Sequence, residues 1–152
     1  RELLGELALA QQHLERGVTL YDPHQHSALA FFHGGYDPGV ACACLGACTV
    51  WLLGYVDQAL TRMRAALTLA RRLGQLHSLA SALIWAAVLH QLRREGSLAQ
   101  AQAETTIPLC HEQEFPYYLA AGTILQGWAL TEQGHGEAGI AQLRQGLATC
   151  RA

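Results

Sequence analysis

The chain has 152 residues, of which 51% are hydrophobic and only 14% are charged, and its formal net charge is −2. Its ten basic residues are all arginines, spread from Arg1 to Arg151, so it lacks the concentrated basic face that nucleic-acid binding requires. No apolar run approaches the roughly 20 residues that cross a bilayer, so we expect neither a membrane span nor nucleic acid as a direct partner.

The first 37 residues predict one helix and then an irregular connection. Residues 1–16 carry leucines on one side of a helix, and Gly17 is expected to end it. Residues 17–37 contain two Asp-Pro pairs and a Gly-Gly pair, which favour turns around a short helix over 23–32. This part therefore predicts half of a helical hairpin followed by a connection.

The next two helices have clear boundary signals. Asp37 stands directly before a proline, which predicts an N-cap for a helix over 38–53. The following helix is expected over 56–73, with Asp57 in its first turn, where the helix dipole favours an acid. Gly74 should end it.

The remainder of the chain predicts four more helices. Ser97 is the expected N-cap of one of them. Pro108 lies inside the same helix, where we expect a kink or early fraying because proline lacks a backbone donor and clashes with the preceding turn. The four predicted helices span 76–94, 97–113, 116–133 and 136–152.

Three segments of the chain are imperfect copies of one another, and each has a glycine between two helical stretches. These glycines, Gly54, Gly96 and Gly134, are nearly but not quite evenly spaced. Five residues after each glycine comes a residue small enough for two helices to approach closely. The predicted turn and packing residues are Gly54, Ala59, Gly96, Ala101, Gly127, Gly134 and Gly139. A period of about 40 residues with two helices per period is typical of an α-solenoid.

The predicted fold is all-α: a right-handed α-solenoid of antiparallel helix-turn-helix repeats with about seven to eight helices. We expect a single domain over 1–152, because each hairpin buries its apolar face against the next. The predicted parts are a half repeat 1–16, a connection 17–37, and hairpins 38–74, 76–113 and 116–152.

Residues 38–152 resemble the tetratricopeptide repeat family, in which small residues at the close approach of two helices alternate with large residues in the groove. The Gly-Trp pair of LQGWAL fits this pattern best. The period is longer than the family's usual length of about 34 residues, and Thr105 and Pro108 depart from the pattern.

A narrower resemblance implies a biological setting. The run YDPHQHSALAFFHGGYDPGVACACLGACTVWLLGYVDQAL, followed by LHQLRRE and GTILQGWALTEQGHGEAGIAQLRQGLA, is similar to the tetratricopeptide region of bacterial multidomain signalling ATPases. In that family the region follows a nucleotide-binding module and is often coupled to a class III adenylate or guanylate cyclase. The nucleotide-binding and cyclase parts are absent from this sequence.

Three cysteines and three histidines are the strongest candidates for a metal site, because thiolate and imidazole ligands suit zinc or copper. On a helix, however, the first two cysteines would point about 200° apart, and the sequence has no Cys-x-x-Cys pair. Burial as small apolar thiols is therefore the favoured interpretation, and the metal site is the alternative. The residues are Cys42, Cys44, Cys48, His24, His26 and His33.

Motifs of nucleophilic or nucleotide chemistry are missing, since the sequence has neither Gly-x-Ser-x-Gly nor a P-loop. His90, on a predicted helix near Trp85, fits a core or groove position better than a catalytic one. We expect no enzymatic activity, no cofactor and no catalytic or metal site. An enzyme with a hidden pocket is the minor alternative.

Two functions fit the sequence. The first is a non-enzymatic scaffold that binds a protein partner within a bacterial signalling protein. The second is a self-assembling structural subunit, because both ends of the chain are apolar and would stack end to end into filaments or tubes. Most of the tryptophans are expected in the core, and some on a docking surface. The candidate interaction or assembly residues are Leu3, Leu7, Leu143, Leu147, Trp51, Trp85 and Trp128.

The two functions imply different locations. The sequence begins with Arg1 rather than methionine, as expected of a fragment or of a processed product. A fragment of a signalling protein would be cytoplasmic, whereas a processed filament subunit would be extracellular.

Overall fold

A computed structural model describes residues 5–32 and 35–151 of the chain, and this part consists of helices and turns without a strand. A 3₁₀ segment, Ser27–Phe32, follows the second helix. The predicted all-α class is confirmed. The helices are α1 (Leu7–Leu20), α2 (Pro23–His26), α3 (Pro38–Leu52), α4 (Val56–Leu73), α5 (Leu76–Leu92), α6 (Gly96–Glu112), α7 (Pro116–Glu132) and α8 (Gly136–Arg151).

The chain divides into two compact units, and the division falls within α5, between Ala82 and Leu83. In the first unit α1 packs on α3 and α3 packs on α4. In the second unit α6 packs on α7 and α7 packs on α8. The main packing pairs within each unit are therefore consecutive long helices, since only the four-residue α2 separates α1 from α3 along the chain.

From the end of α3 onwards, left-handed backbone residues mark the connections between helices at equal intervals along the chain. One helical hairpin covers two of these intervals. The spacing between the first and third left-handed residues therefore equals the spacing between the third and fifth. The repeat is therefore regular, whereas the glycines alone predicted an uneven spacing. The five residues are Gly54 (φ 93°), Gly74 (φ 66°), Arg94 (φ 56°), Glu114 (φ 55°) and Gly134 (φ 87°).

The prediction was wrong for the turn of the middle repeat. Arg94 takes the left-handed conformation there, although this costs a residue with a Cβ about 1–2 kcal/mol. Gly96 is the first residue of α6 instead, and Ala101, counted from it, lies exposed. The small residue in the correct register is Ala99, which is 0% exposed.

Two further predicted boundaries differ from the structure. Gly17 lies inside α1, and a Cβ on it would come within 2.9 Å of Cys42 Sγ, so this glycine serves close packing between helices. Ser97 is the second residue of α6, and the N-cap position belongs to Glu95, which makes no side-chain cap. The helix continues through Pro108 without interruption.

Other boundary signals are confirmed. The Asp37 side chain accepts a hydrogen bond from Val40 N at the start of α3, with proline in the first helical turn. Helix α4 carries Asp57 in its first turn and ends at Gly74, which is left-handed. The sequence predicted these helix boundaries because each signal depends on residues that are adjacent in the chain.

Candidate functional site

Helices α7 and α8 approach each other at two glycines. A Cβ built on Gly127 would lie 2.8 Å from both Gly139 O and Leu143 N, and one on Gly139 would lie 2.6 Å from Gly127 O. The Thr131 hydroxyl lies at the same contact and donates to Gly127 O at 2.9 Å. The two predicted packing residues thus meet with backbone against backbone, where no larger side chain fits.

The same two positions are small and buried throughout the repeats. One position lies seven residues before the left-handed residue of the turn and the other lies five residues after it. Both positions hold alanine in the first two repeats and glycine in the third. The alanines, each 0% exposed, are Ala47, Ala59, Ala87 and Ala99.

Helix α7 also packs on α6, on a different side from its contact with α8. A Cβ on Gly122 would lie 3.2 Å from Ile107 Cγ1. Near the start of α6, a Cβ on Gly96 would lie 3.4 Å from Ala129 O. Each helix therefore contributes one glycine to this interface, and the end of α7 lies beside the start of α6.

One side of α8 is apolar and exposed, and we call Ile140, Leu143, Leu147 and Cys150 together the α8 face. Ile140 is 48% exposed and Leu147 is 49% exposed, Leu143 is partly exposed, and Cys150 is exposed. The spacing of three and four residues places all four on one side of the helix. Two of the predicted assembly residues, Leu143 and Leu147, thus lie together on an accessible surface.

The earlier repeats bury most of the positions that are exposed on the α8 face, but Leu60 and Gln100, equivalent to Ile140, and Ile107, equivalent to Leu147, are only partly buried. Moving back along the chain by one hairpin period leads from α8 to the equivalent residues of α6, and a second period leads to those of α4. On α6, helix α7 packs at Ile107, the equivalent of Leu147, since a Cβ on Gly122 would lie 3.2 Å from Ile107 Cγ1. The buried equivalents of Leu143, Leu147 and Cys150 are Met63 (3% exposed), Leu67 (8%), Ala70 (0%), Ala103 (0%) and Cys110 (0%).

At the other end of the chain, α1 packs on α3, and its exposed residues are mostly polar but include Val18 (47% exposed) and Leu20 (64%). A Cβ on Gly46 of α3 would lie 3.8 Å from Leu14 Cβ, so α1 packs its leucine side on α3. The predicted assembly residue Leu7 is half-buried, and Leu3 lies outside the described residues. The exposed polar residues of α1 are Gln12, His13, Glu15, Arg16 and Thr19.

A cleft of about 360 Å³ lies between α1, α3 and α4. At its edge, Arg62 NH2 donates to Glu15 Oε1 at 2.8 Å, and the Gln11 amide donates to the same oxygen at 2.9 Å. These two hydrogen bonds, that of Gln11 first, hold the pKa of Glu15 below its usual value. The walls are mostly apolar and are formed by Leu14, Val18, Ala43, Gly46 and Ala65.

A buried carboxylate joins three segments of the first unit. Asp37 is 0% exposed, accepts a hydrogen bond from the Tyr21 hydroxyl at 2.6 Å and donates its own N–H to Ser78 Oγ at 2.9 Å. Burial, followed by the bond to Asp37, raises the pKa of Tyr21. A Cβ on Gly39 would lie 2.5 Å from the Tyr21 ring, so the ring packs directly on the first turn of α3. This network fixes the start of α3.

His90 belongs to a polar cluster at the connection between α5 and α6. Its Nδ1 lies 2.7 Å from Glu95 Oε2, while Arg93 donates to Glu95 Oε1 at 2.7 Å. The hydrogen bonds from Arg93 first and from His90 second lower the pKa of Glu95 to about 2, although burial opposes the shift. The cluster holds the turn together, which agrees with a structural role for His90.

The three predicted tryptophans do not occupy equivalent positions in the repeat. Trp51, Trp85 and Trp128 are each partly exposed. They stand three, nine and six residues before the left-handed residues 54, 94 and 134. The tryptophans therefore form no repeated row, and their role in docking stays a prediction.

Buried thiols account for most of the cysteines. Burial raises the pKa of Cys44 to about 12 and that of Cys110 to about 11, and it also raises the pKa of Cys42. Within residues 5–32 and 35–151, no three His, Cys, Asp or Glu side chains are arranged to hold a metal ion. His33, one of the six candidate ligands, lies outside these ranges.

Thiol labelling of the native protein should show one fast site, Cys150, with Cys44 and Cys110 reacting slowly. The thiolate is the reactive species, and burial disfavours it at Cys44 and Cys110, whereas Cys150 is exposed on the α8 face. The rate of reaction with DTNB at mildly alkaline pH measures this difference. Substitution Cys150→Ser should remove the fast phase, and a fast phase that persists in this variant would contradict the placement of Cys150.

Comparison with known proteins gives no match, since no family model, no curated protein and no solved structure corresponds to the chain. In the part that the structure describes, no helix has both the length and the apolar character that crossing a bilayer demands. Any functional assignment therefore depends on the surfaces of the molecule itself.

Proposed function

We propose that this chain is a non-enzymatic helical-repeat scaffold for protein–protein interaction, part of a bacterial signalling protein. We also propose that the helices form a right-handed α-solenoid of antiparallel, tetratricopeptide-like hairpins. The observation that carries it is the α8 face, which is apolar and accessible, whereas most of the equivalent positions of α4 and α6 are buried. The resemblance to the tetratricopeptide region of signalling ATPases supplies the biological setting.

The energetics of the α8 face favour a binding role. Ile140 and Leu147 are each about half exposed, and full burial of such a side chain is worth about 1.5–3 kcal/mol. Stacked hairpins bind partners along extended surfaces that the successive repeats create. The α8 face is an apolar surface beside helices that pack on one another, so it is suited to bind another helix.

Self-assembly is the second candidate function, and the same observation favours it. An apolar surface at the end of a repeat array can pack on another copy, and a contact between two different surfaces would extend into a filament or tube. The exposed residues of α1 include Gln12, Glu15 and Arg16 as well as Val18 and Leu20, so α1 is less apolar than the α8 face and less suited to be the other half of that contact. For this reason we place the scaffold first.

Light scattering coupled to size-exclusion chromatography, with negative-stain electron microscopy, separates the two functions. The scaffold proposal predicts a monodisperse monomer at micromolar concentration, with the same mass for Leu147→Glu. Ordered filaments or rings that Leu147→Glu disperses would overturn it in favour of self-assembly. Substitution Gln145→Glu is the matched control, because Gln145 is exposed on α8 outside the α8 face and receives the same charge.

A further inference from the structure

We propose that the cleft between α1, α3 and α4 binds a small apolar amine, whose ammonium group donates hydrogen bonds to Gln11 and Glu15. The cleft lies within the first unit, whereas the α8 face belongs to the second, so the proposal adds a ligand site and does not rest on the scaffold function. The cleft volume of about 360 Å³ lies near the lower end of the roughly 300–1,000 Å³ that ligand pockets have, and it fits a small molecule.

Small residues on two helices leave the space of the cleft unfilled. Ala43 and Gly46 line it from α3, and Ala65 lines it from α4. One hairpin period further along the chain, Leu83 and Thr105 stand at the positions of Ala43 and Ala65. The small wall residues are therefore a feature of the first hairpin and are not shared with the next one.

The wall that α1 contributes has an apolar part and a polar part. Leu14 and Val18 line the cleft one helical turn apart, and so do Gln11 and Glu15. An occupant that matches this wall has an apolar body and a polar head at one end.

Gln11 holds a buried acceptor that has no partner. Its side chain is 8% exposed, its Nε2 donates to Glu15 Oε1 at 2.9 Å, and its own Oε1 accepts no hydrogen bond. Because an ionised carboxylate only accepts hydrogen bonds, the amide nitrogen must face Glu15 and the oxygen cannot take its place. A buried acceptor in this state is costly, and a donor bound in the cleft would supply the missing hydrogen bond.

The charges at this polar end favour a cationic head over an anionic one. Arg62, the basic residue of the lining, is already paired with Glu15 at 2.8 Å. Both Arg62 and Gln11 donate to Glu15 Oε1, so Glu15 Oε2 can accept from a ligand. A primary ammonium carries three donors and no acceptor, which suits the Gln11 oxygen and the Glu15 carboxylate together.

Isothermal titration calorimetry of the full chain at neutral pH tests the chemistry of the ligand with three probes. Hexylamine should bind with a Kd below roughly 1 mM. Hexyltrimethylammonium has the same chain and charge but no N–H donor, so it should bind at least about tenfold more weakly. Hexanoate should also bind at least about tenfold more weakly, because it brings a negative charge and no donor to two acceptors.

Variants of the protein test the location of the site. Gln11→Leu removes the unpaired oxygen and should weaken hexylamine binding at least about tenfold, whereas Gln12→Leu, its matched control at an exposed position outside the cleft, should leave it unchanged. Ala65→Leu should weaken binding to a similar extent by filling the cleft, and Ala101→Leu is its control at an exposed position on α6. Circular dichroism verifies folding, and Ala65→Leu carries the test if Gln11→Leu does not fold.

Several results would overturn the proposal. These are no binding of hexylamine at roughly 10 mM, equal affinity for hexylamine and hexyltrimethylammonium, or equal losses with Gln11→Leu and Gln12→Leu. Tighter binding of hexanoate would assign the cleft to an acid that pairs with Arg62. Loss of binding with Ala65→Leu but not with Gln11→Leu would leave an apolar cleft without the polar recognition that we propose. None of these results bears on the scaffold function, which is tested at the α8 face.

Discussion

Substitution Gly139→Leu should lower the free energy of unfolding by about 3 kcal/mol. A Cβ at this position would lie 2.6 Å from Gly127 O, and the Thr131 hydroxyl is closer still. Because these neighbours include backbone, α7 and α8 must separate to admit the side chain, and the buried contacts of the pair are lost. Chemical denaturation followed by far-ultraviolet circular dichroism measures the loss.

The matched control is Gly136→Leu on the same helix. A Cβ on Gly136 would meet nothing within 4 Å, so this variant gains helix propensity without a clash. Its stability should stay within about 1 kcal/mol of the parent chain. Equal losses for Gly136→Leu and Gly139→Leu would show that the close approach of α7 and α8 has been misplaced.

The glycines largely predicted the period of the repeat, but they did not predict which residues of the middle repeat occupy the turn and the small packing positions. Gly54 and Gly134 mark their turns correctly because glycine is the residue that most readily takes a left-handed conformation. In the middle repeat Arg94 takes that conformation, so alignment on Gly96 shifted the small positions by two residues. A search for alanines that recur midway between Ala59 and Gly139 would have found Ala99 and corrected the register.

The candidate surface was predictable in part. The apolar sequence of the last helix identified Leu143 and Leu147, since exposed leucines at the end of a repeat array need a partner. The sequence could not show that α1 packs its apolar side on α3, because that depends on a contact between Leu14 and Gly46, far apart in the chain. The two ends of the chain thus looked alike in sequence and differ in structure.

Long-range polar contacts account for the remaining structural features that the sequence did not predict. The Asp-Pro pair at Asp37 predicted the N-cap of α3 from neighbouring residues alone. Its partners Tyr21 and Ser78 are 16 and 41 residues away, and no spacing rule links such positions. The buried network therefore became visible only in the folded chain.

Substitution Asp37→Ala should destabilise the protein by about 3 kcal/mol. It removes the N-cap of α3, which is worth about 1 kcal/mol, and it leaves the Tyr21 hydroxyl without its acceptor. The carboxylate is 0% exposed, so water does not replace the lost bonds without rearrangement. Denaturant titration of the variant and the parent chain at neutral pH measures the difference.

Matched variants separate the contributions of Asp37. Asp37→Asn keeps an oxygen for Val40 N and should cost only about 1 kcal/mol. Asp57→Ala also removes one carboxylate from a first helical turn, but Asp57 is exposed, so its loss should cost less than about 1 kcal/mol. In the double variant with Tyr21→Phe, the cost of Asp37→Ala should fall, because the hydroxyl that it leaves unpaired is already gone. Strict additivity of Tyr21→Phe and Asp37→Ala would mean that the 2.6 Å hydrogen bond contributes nothing to holding α3 in place.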